Sequence, residues 1–145
     1  ECAGLSDSVK VYAIEKNPEA VELLHENCKK FALTNVKIIA GTAPEALEDL
    51  PAPTHVFIGG SSGKMEEVIA LCLKKNPETR FVVNLITPES LAAVLEAAKT
   101  LPVTEPDLLT LTAARSKKVG SSHLMMGQNP VWIVTFEGKI CVSRM

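Results

Sequence analysis

The stretch HVFIGGSSGKMEEVIALC, from His55 to Cys72, predicts a short apolar strand, a glycine-rich turn and a helix. In α/β proteins, a turn of this kind at the carboxyl end of a strand is a place where ligands bind. A nucleoside triphosphate loop would need the pattern G-x-x-x-x-G-K-[ST]. Here only three residues separate Gly59 from Gly63, and Met65 stands where the pattern requires a hydroxyl. The stretch therefore indicates an α/β fold but not a triphosphate site.

The same alternation of strand and helix continues on both sides of this stretch. Apolar, β-rich runs are expected as strands at Val9–Glu15, Val36–Gly41, His55–Gly60 and Arg80–Ile86. Helical patterns follow these runs at Pro18–Phe31, Pro44–Leu50, Lys64–Lys75 and Pro88–Thr100. Near-continuous apolar strands that alternate with amphipathic helices predict a mostly parallel sheet covered by helices on both faces.

The alternation of strands and helices ends in the last third of the chain. Asp107–Arg115 and Pro130–Gly138 have strand-like sequences, and no full helix lies between them. Two successive strands without a crossover helix predict an antiparallel pair that closes one edge of the sheet. Because the chain contains no repeat, low-complexity tract or linker, residues 1–145 are expected to form a single α/β domain.

Composition and charge exclude several classes of function. The formal net charge of −2 argues against a general binder of nucleic acid. The four cysteines are far apart and form no C-x-x-C pair, so we expect no metal site and a reduced, cytoplasmic protein. No apolar run reaches the ~18 residues that span a bilayer, and the first residues do not resemble a signal peptide.

Three features at the ends of predicted strands are candidate ligand contacts. Glu15 ends the first strand, where a carboxylate can accept hydrogen bonds from both ribose hydroxyls or can simply favour the next helix dipole. Ala43 stands at the N-cap position before Pro44. Because alanine is a poor cap, the backbone donors of that turn are available to a ligand or to water. Gly59 and Gly60 either form an unusual turn or let a ligand approach the sheet.

Four stretches together resemble one protein family from about Val9 to Gly138: EKNPEA, GTAPEAL, VFIGGSSG and LTAARSKKVGSSHLMMGQNPVWIVT. The family is that of the C15-methylating, decarboxylating precorrin methyltransferases of cobalamin biosynthesis. The resemblance implies a Rossmann-like class I fold and an S-adenosylmethionine-dependent enzyme. It also implies a tetrapyrrole substrate that is methylated at C15 and loses the carboxyl of its C12 acetate. The last stretch is typical of the version fused behind a C5-methyltransferase domain.

The resemblance further implies roles for individual residues. Cofactor binding is expected at the ribose-holding Glu15, at the adenine-facing segment Thr42, Ala43 and Pro44, and at Gly59 and Gly60. A substrate rich in carboxylates calls for polar and basic groups at its rim. The substrate-binding candidates are Ser61, Ser62, Gly63, Asn84, Arg115, Lys117 and Lys118. No catalytic nucleophile is evident.

Some of these assignments have alternatives. Asn84 could cap the next helix instead of facing a ligand. The cluster Arg115, Lys117 and Lys118 is expected in a loop, where it could be only a solvated basic turn. His123 could donate a proton or have no catalytic role. Met125, Met126 and Trp132 are expected in the core or in an interface.

The family has a first strand and a glycine-rich cofactor loop that do not precede Glu1 in this sequence. Because that strand lies in the middle of the family's sheet, we expect the chain to continue upstream. The resemblance also implies a homo-oligomer joined through the late β segment. Two alternatives stay open at this point: a methyltransferase acting on another small molecule, and a non-catalytic domain without the cofactor loop.

Overall fold

The structure, a computed structural model, describes residues 2–6, 8–60 and 63–140. The chain divides into two compact units, an N-terminal unit, Glu1–Leu50, and a C-terminal unit, Pro51–Met145. Among the described residues, no helix is both long and apolar enough to cross a membrane.

The N-terminal unit is built on two parallel strands and one helix. Its elements in chain order are the 3-10 helix Cys2–Gly4, β1 (Val11–Glu15), α1 (Pro18–Lys30), β2 (Val36–Ala40) and the 3-10 helix Glu45–Leu47. Val11 pairs with Val36 at one end of the ladder, and Glu15 pairs with Ala40 at the other.

Local chemistry sets the start of α1. The Asn17 side chain accepts a hydrogen bond from the Glu19 amide at 2.9 Å, and Pro18 occupies the first turn, where its missing N–H costs nothing. The predicted start of this helix at Pro18 is therefore confirmed. After the helix, the Asn35 amide nitrogen donates to the carbonyls of Ala3 and Val9, each at 2.8 Å. One side chain thus fastens the first residues of the chain to the start of β2.

The predicted helix Pro44–Leu50 is wrong in length and in cap. Only the 3-10 helix Glu45–Leu47 forms, and its cap is Pro44 rather than Ala43. Pro51 disfavours the α region for Leu50 and so sets the limit beyond which no helix could continue. A segment this short remains a tight turn.

The C-terminal unit contains the remaining strands and two helices. In chain order they are β3 (His55–Ile58), α2 (Met65–Lys75), β4 (Arg80–Leu85), α3 (Pro88–Thr100), β5 (Asp107–Leu111), β6 (Ala114–Val119), β7 (Ser122–Gly127) and β8 (Val131–Glu137). The main sheet has the order β3-β4-β8-β5, with β3 parallel to β4 and β8 antiparallel to both of its neighbours. The antiparallel pair predicted for the last third of the chain is confirmed as β5 and β8.

The core of this unit lies on one face of the main sheet. Along β4, Phe81, Val83 and Leu85 are buried, while Val82 and Asn84 between them are half-buried. Phe81 stacks on Phe136 of β8 with 5.1 Å between ring centroids. The helices contribute buried side chains to this core from Met65, Val68, Ile69, Cys72 and Leu73 of α2 and from Val94 and Ala97 of α3.

The segment between β5 and β8 is a hairpin instead of the expected loop. β6 and β7 pair from Ala114 opposite Gly127 to Val119 opposite Ser122, and every residue in both strands is exposed. Gly120, with φ of 61°, supplies the positive φ that a two-residue hairpin turn requires. Polar residues fill much of β6, so the sequence lacks the apolar alternation that marks a strand packed on a core.

Gly138, just after β8, sits where a larger residue has no room. Its amide donates to the Thr79 carbonyl at 2.9 Å. An added Cβ would overlap the carbonyl oxygen of Pro77 and lie 2.6 Å from Cδ2 of Leu73. Gly138→Ala is expected to lower the free energy of unfolding by about 1–3 kcal/mol, because the backbone or the core must shift.

Urea unfolding of Gly138→Ala and Gly127→Ala makes the comparison. Gly127→Ala is the matched control, since nothing lies within 4 Å of its added Cβ. Equal unfolding midpoints for the two variants would contradict this packing constraint.

Candidate functional site

In the N-terminal unit, the carboxyl ends of β1 and β2 lie side by side. The Gly41 amide donates to the Glu15 carbonyl at 3.0 Å, which continues the ladder one residue beyond β2. This hydrogen bond places Glu15 next to the beginning of the segment 42–44. Two of the stretches predicted to bind a cofactor are therefore neighbours.

The Glu15 carboxylate is half-buried and only partly used by the protein. Its Oε1 accepts a hydrogen bond from the Asn17 amide at 2.8 Å. Within the described part of the chain, no hydrogen bond to Oε2 is formed. A carboxylate has about four lone-pair sites, so most of the capacity of Glu15 remains for a ligand that carries hydroxyl donors.

The segment 42–44 keeps two backbone donors, the amides of Thr42 and Ala43, without an acceptor among the described residues. The carbonyl of Thr42 accepts from the Ala46 amide at 2.9 Å, and that of Pro44 accepts from the Leu47 amide at 2.8 Å. The amide of Ala43, which is half-buried, donates to no other backbone or side chain among the described residues. These contacts build the turn and leave the Ala43 amide available to a ligand.

In the C-terminal unit, a cavity of about 470 Å³ lies at the carboxyl ends of β3 and β4. Among the predicted site residues, Gly59, Gly60, Gly63 and Asn84 line it. The lining residues that sequence reasoning missed are Met65, Leu85, Ile86, Ser90 and Val131. None of these described lining residues is charged.

Asn84 and Ser90 are the polar side chains of this lining. Asn84 makes no side-chain hydrogen bond to the described residues, and it does not cap α3, because Thr87 does. The capping alternative for Asn84 is therefore wrong. Ser90 accepts a hydrogen bond from the Thr87 hydroxyl at 2.8 Å, which leaves its own hydroxyl proton without an acceptor in the described chain. The sequence signal for Ser90 was its place at the third position of a helix that begins at Pro88.

The predicted basic cluster is divided by the hairpin. Arg115, Lys117 and Lys118 lie on β6 rather than in a loop, and all three are exposed. Because side chains alternate along a strand, Arg115 and Lys117 share one face, opposite Met126 and Leu124 of β7. Lys118 lies on the other face, opposite His123. The expectation of one joint cluster in a loop is therefore wrong.

Other candidates take no part in the sites described so far. Ser61 and Ser62 lie outside the described residues. His123 is exposed on β7. Burial raises the pKa of the Cys72 thiol to about 11, so this side chain stays protonated and unreactive near neutral pH. In residues 2–6, 8–60 and 63–140, no three histidine, cysteine or acidic side chains gather as a metal site would need.

Comparison with known proteins identifies the family. Residues 2–137 match the family model of the precorrin methyltransferase domain. A Sulfolobus acidocaldarius protein, described as a probable cobalt-precorrin-6B C15-methyltransferase (decarboxylating), is 34% identical over 132 residues, which cover 90% of this chain and 68% of that protein. The corresponding Salmonella typhimurium protein is 31% identical over 128 residues, covering 88% of this chain and 66% of its own length. The chain thus spans about two thirds of the length of such relatives.

A solved structure supports the same family assignment. Precorrin-6y C5,15-methyltransferase from Geobacter metallireducens superposes with a TM-score of 0.82 at 31% identity, covering 93% of this chain and 71% of that one. The predicted α/β methyltransferase fold, with its mostly parallel sheet and antiparallel strand pair, is confirmed. The chain belongs to the precorrin methyltransferase domain family.

Proposed function

We propose that this protein transfers a methyl group from S-adenosylmethionine to C15 of a precorrin tetrapyrrole and removes the carboxyl of the C12 acetate as CO2, in cobalamin biosynthesis. The observation that carries the proposal is the family match over residues 2–137, together with relatives named for this reaction at 31–34% identity. Nothing in the described structure favours either alternative, another small-molecule methyltransferase or a non-catalytic domain.

The chemistry of the described residues fits S-adenosylmethionine. Bound S-adenosylmethionine supplies an electrophilic methyl group, and the protein mainly has to orient the acceptor carbon. In the N-terminal unit, the free carboxylate oxygen of Glu15 suits the ribose hydroxyls. The unused Ala43 amide, between Thr42 and Pro44, suits an acceptor nitrogen of adenine. In the C-terminal unit, Gly59 and Gly60 offer an exposed backbone without side chains.

The substrate side rests on polar groups of the C-terminal unit. We assign recognition of the tetrapyrrole to the cavity residues Gly63 and Asn84, to Ser61 and Ser62, which precede Gly63 in the sequence, and to Arg115 and Lys117 of β6 but not to Lys118 on its other face. Arg115 and Lys117 are the stronger basic candidates, because two guanidinium or ammonium groups on one face can pair with two carboxylates of one ligand. Fusion to a C5-methyltransferase domain and a cytoplasmic location stay predictions.

The reaction is tested by incubating the full-length protein with S-adenosylmethionine and a precorrin-6B-type tetrapyrrole, followed by mass spectrometry. The expected product has gained one methyl group and lost one CO2. Binding of S-adenosylhomocysteine without conversion of this substrate would point to another methyltransferase. Absence of S-adenosylhomocysteine binding in calorimetric titration would remove the enzyme interpretation.

Glu15 is expected to contribute directly to cofactor affinity. Glu15→Ala should weaken S-adenosylhomocysteine binding by about 1–3 kcal/mol, the scale of hydrogen bonds to a charged group. Glu15→Gln keeps an acceptor for the Asn17 amide and so separates loss of the charge from loss of the turn. Glu22→Ala, an exposed acid of α1, is the matched control in calorimetric titrations. Equal affinities for Glu15→Ala and Glu22→Ala would mean that Glu15 only ends a strand.

The two faces of the hairpin give a second internal comparison. We expect the double variant Arg115→Ala/Lys117→Ala to raise the KM for the tetrapyrrole at least about fivefold, because each lost charged contact is worth about 1 kcal/mol or more. Cofactor affinity should not change. Lys118→Ala removes a charge from the opposite face of the same strand and is the matched control. An unchanged KM in the double variant would show that these charges serve solubility.

We also propose that the protein is a homo-oligomer joined through the hairpin. Leu124, Met125 and Met126 of β7 are 46–66% exposed, which is unusual for three consecutive large apolar residues of a monomer. Leu124→Glu is expected to shift the sedimentation of the full-length protein toward the monomer. Leu23→Glu, at a 58% exposed site of α1, should leave it unchanged. A monomeric wild-type protein would overturn this proposal.

A further inference from the structure

We propose that the cavity at the carboxyl ends of β3 and β4 holds the acetate carboxylate that leaves as CO2, with the Ser90 hydroxyl and the Asn84 amide as its neutral hydrogen-bond donors. The inference rests on the proposed function and assigns one step of that reaction to one part of the structure. Ser90 has no role in the cofactor and substrate assignments above.

The lining of the cavity suits a group that loses its charge. Glycines and apolar side chains form most of it, and none of the described lining residues carries a charge. A carboxylate bound there gains no cationic partner from the described lining, so its localised charge is not stabilised as it would be in an ion pair. Loss of CO2 spreads that charge into a conjugated ring system, and the gas itself is apolar. An uncharged cavity therefore suits the carboxylate that leaves as CO2 better than it suits the carboxylates that stay on the tetrapyrrole.

The Ser90 hydroxyl can donate a hydrogen bond to a ligand in this cavity. The Thr87 hydroxyl donates to Ser90 Oγ at 2.8 Å and accepts from the Ser90 amide at 3.3 Å. The Ser90 oxygen is thus oriented by its neighbour, and its own proton is the group left to donate. The Asn84 amide, unpaired within the described chain, supplies further donors in the same lining. Two neutral donors can orient a carboxylate without stabilising it as an ion pair would.

Loss of CO2 from the methylated tetrapyrrole needs no oxidant, reductant or other co-reactant. Transfer of the methyl group leaves one positive charge on the macrocycle. The bond between the acetate methylene and the carboxyl carbon then breaks, its electron pair enters the macrocycle and cancels that charge, and CO2 departs. A proton gained at the methylene carbon and a proton lost from the macrocycle convert the arm into a methyl group. No residue of the cavity has to act as a nucleophile.

The contrast with the hairpin explains why the carboxylates are treated differently. Arg115 and Lys117 can hold carboxylates that survive the reaction, since a charged hydrogen bond stabilises the anion. The same contact to the departing carboxylate would raise the barrier for CO2 loss, because the stabilisation is lost in the transition state. A pair of neutral donors orients the carboxylate with a smaller penalty, because each neutral hydrogen bond stabilises the anion less than a charged one.

The test measures methyl transfer and CO2 release separately in the full-length protein. In Ser90→Ala and in Asn84→Leu, CO2 release should fall about five- to tenfold relative to methyl transfer, because the carboxylate is no longer held in the orientation from which CO2 leaves. A methylated product that retains the carboxyl should then accumulate and be visible by mass spectrometry. Ser90→Thr keeps the hydroxyl and should restore the coupling, and Ser121→Ala, in the exposed turn of the hairpin, is the control.

Every outcome is interpretable. Calorimetric titration with S-adenosylhomocysteine and thermal unfolding show whether each variant is folded and still binds the cofactor. If both rates fall by the same factor in both variants, or neither rate changes, the assignment of this cavity is overturned while the proposed function stands. If the wild-type protein neither methylates nor decarboxylates the tetrapyrrole, the proposed function itself fails.

Discussion

The hydrogen bond from the Gly41 amide to the Glu15 carbonyl is the contact on which the proposed cofactor contacts of the N-terminal unit depend. Parallel strands end at the same edge of a sheet, so the turns that follow them come together there. In the N-terminal unit this bond keeps the acid of β1 beside the turn after β2. Among the described residues, the ladder and the turn leave one carboxylate oxygen of Glu15 and the amides of Thr42 and Ala43 without a hydrogen-bond partner. We propose that these groups bind the nucleoside of the cofactor.

The parts of the fold fixed by local chemistry were predictable from the sequence. The pairs Asn17-Pro18 and Thr87-Pro88 start α1 and α3 where expected, because a capping side chain and a proline act within one turn. The central strands were found to within about two residues, since their apolar runs are continuous. The family motifs, spread over most of the chain, identified the methyltransferase class that the comparisons confirm.

What escaped prediction depends on contacts distant in the sequence or on faces without a core. The hairpin of β6 and β7 packs no buried residue, so its polar sequence gave no strand signal and its basic residues were expected together. Ser90 was missed because a serine in the first turn of a helix usually serves the helix itself. Its place in a cavity follows only from the arrangement of β3, β4 and α3. Gly138 lies against the backbone of Pro77, and no local sequence pattern predicts that contact.

The most direct measurement is a crystal structure of the full-length protein with S-adenosylhomocysteine bound. We expect both ribose hydroxyls to lie about 2.5–3.0 Å from carboxylate oxygens of Glu15, with the adenine against the backbone of Ala43. A nucleoside bound elsewhere, with the Glu15 side chain surrounded by solvent, would contradict the proposed cofactor site.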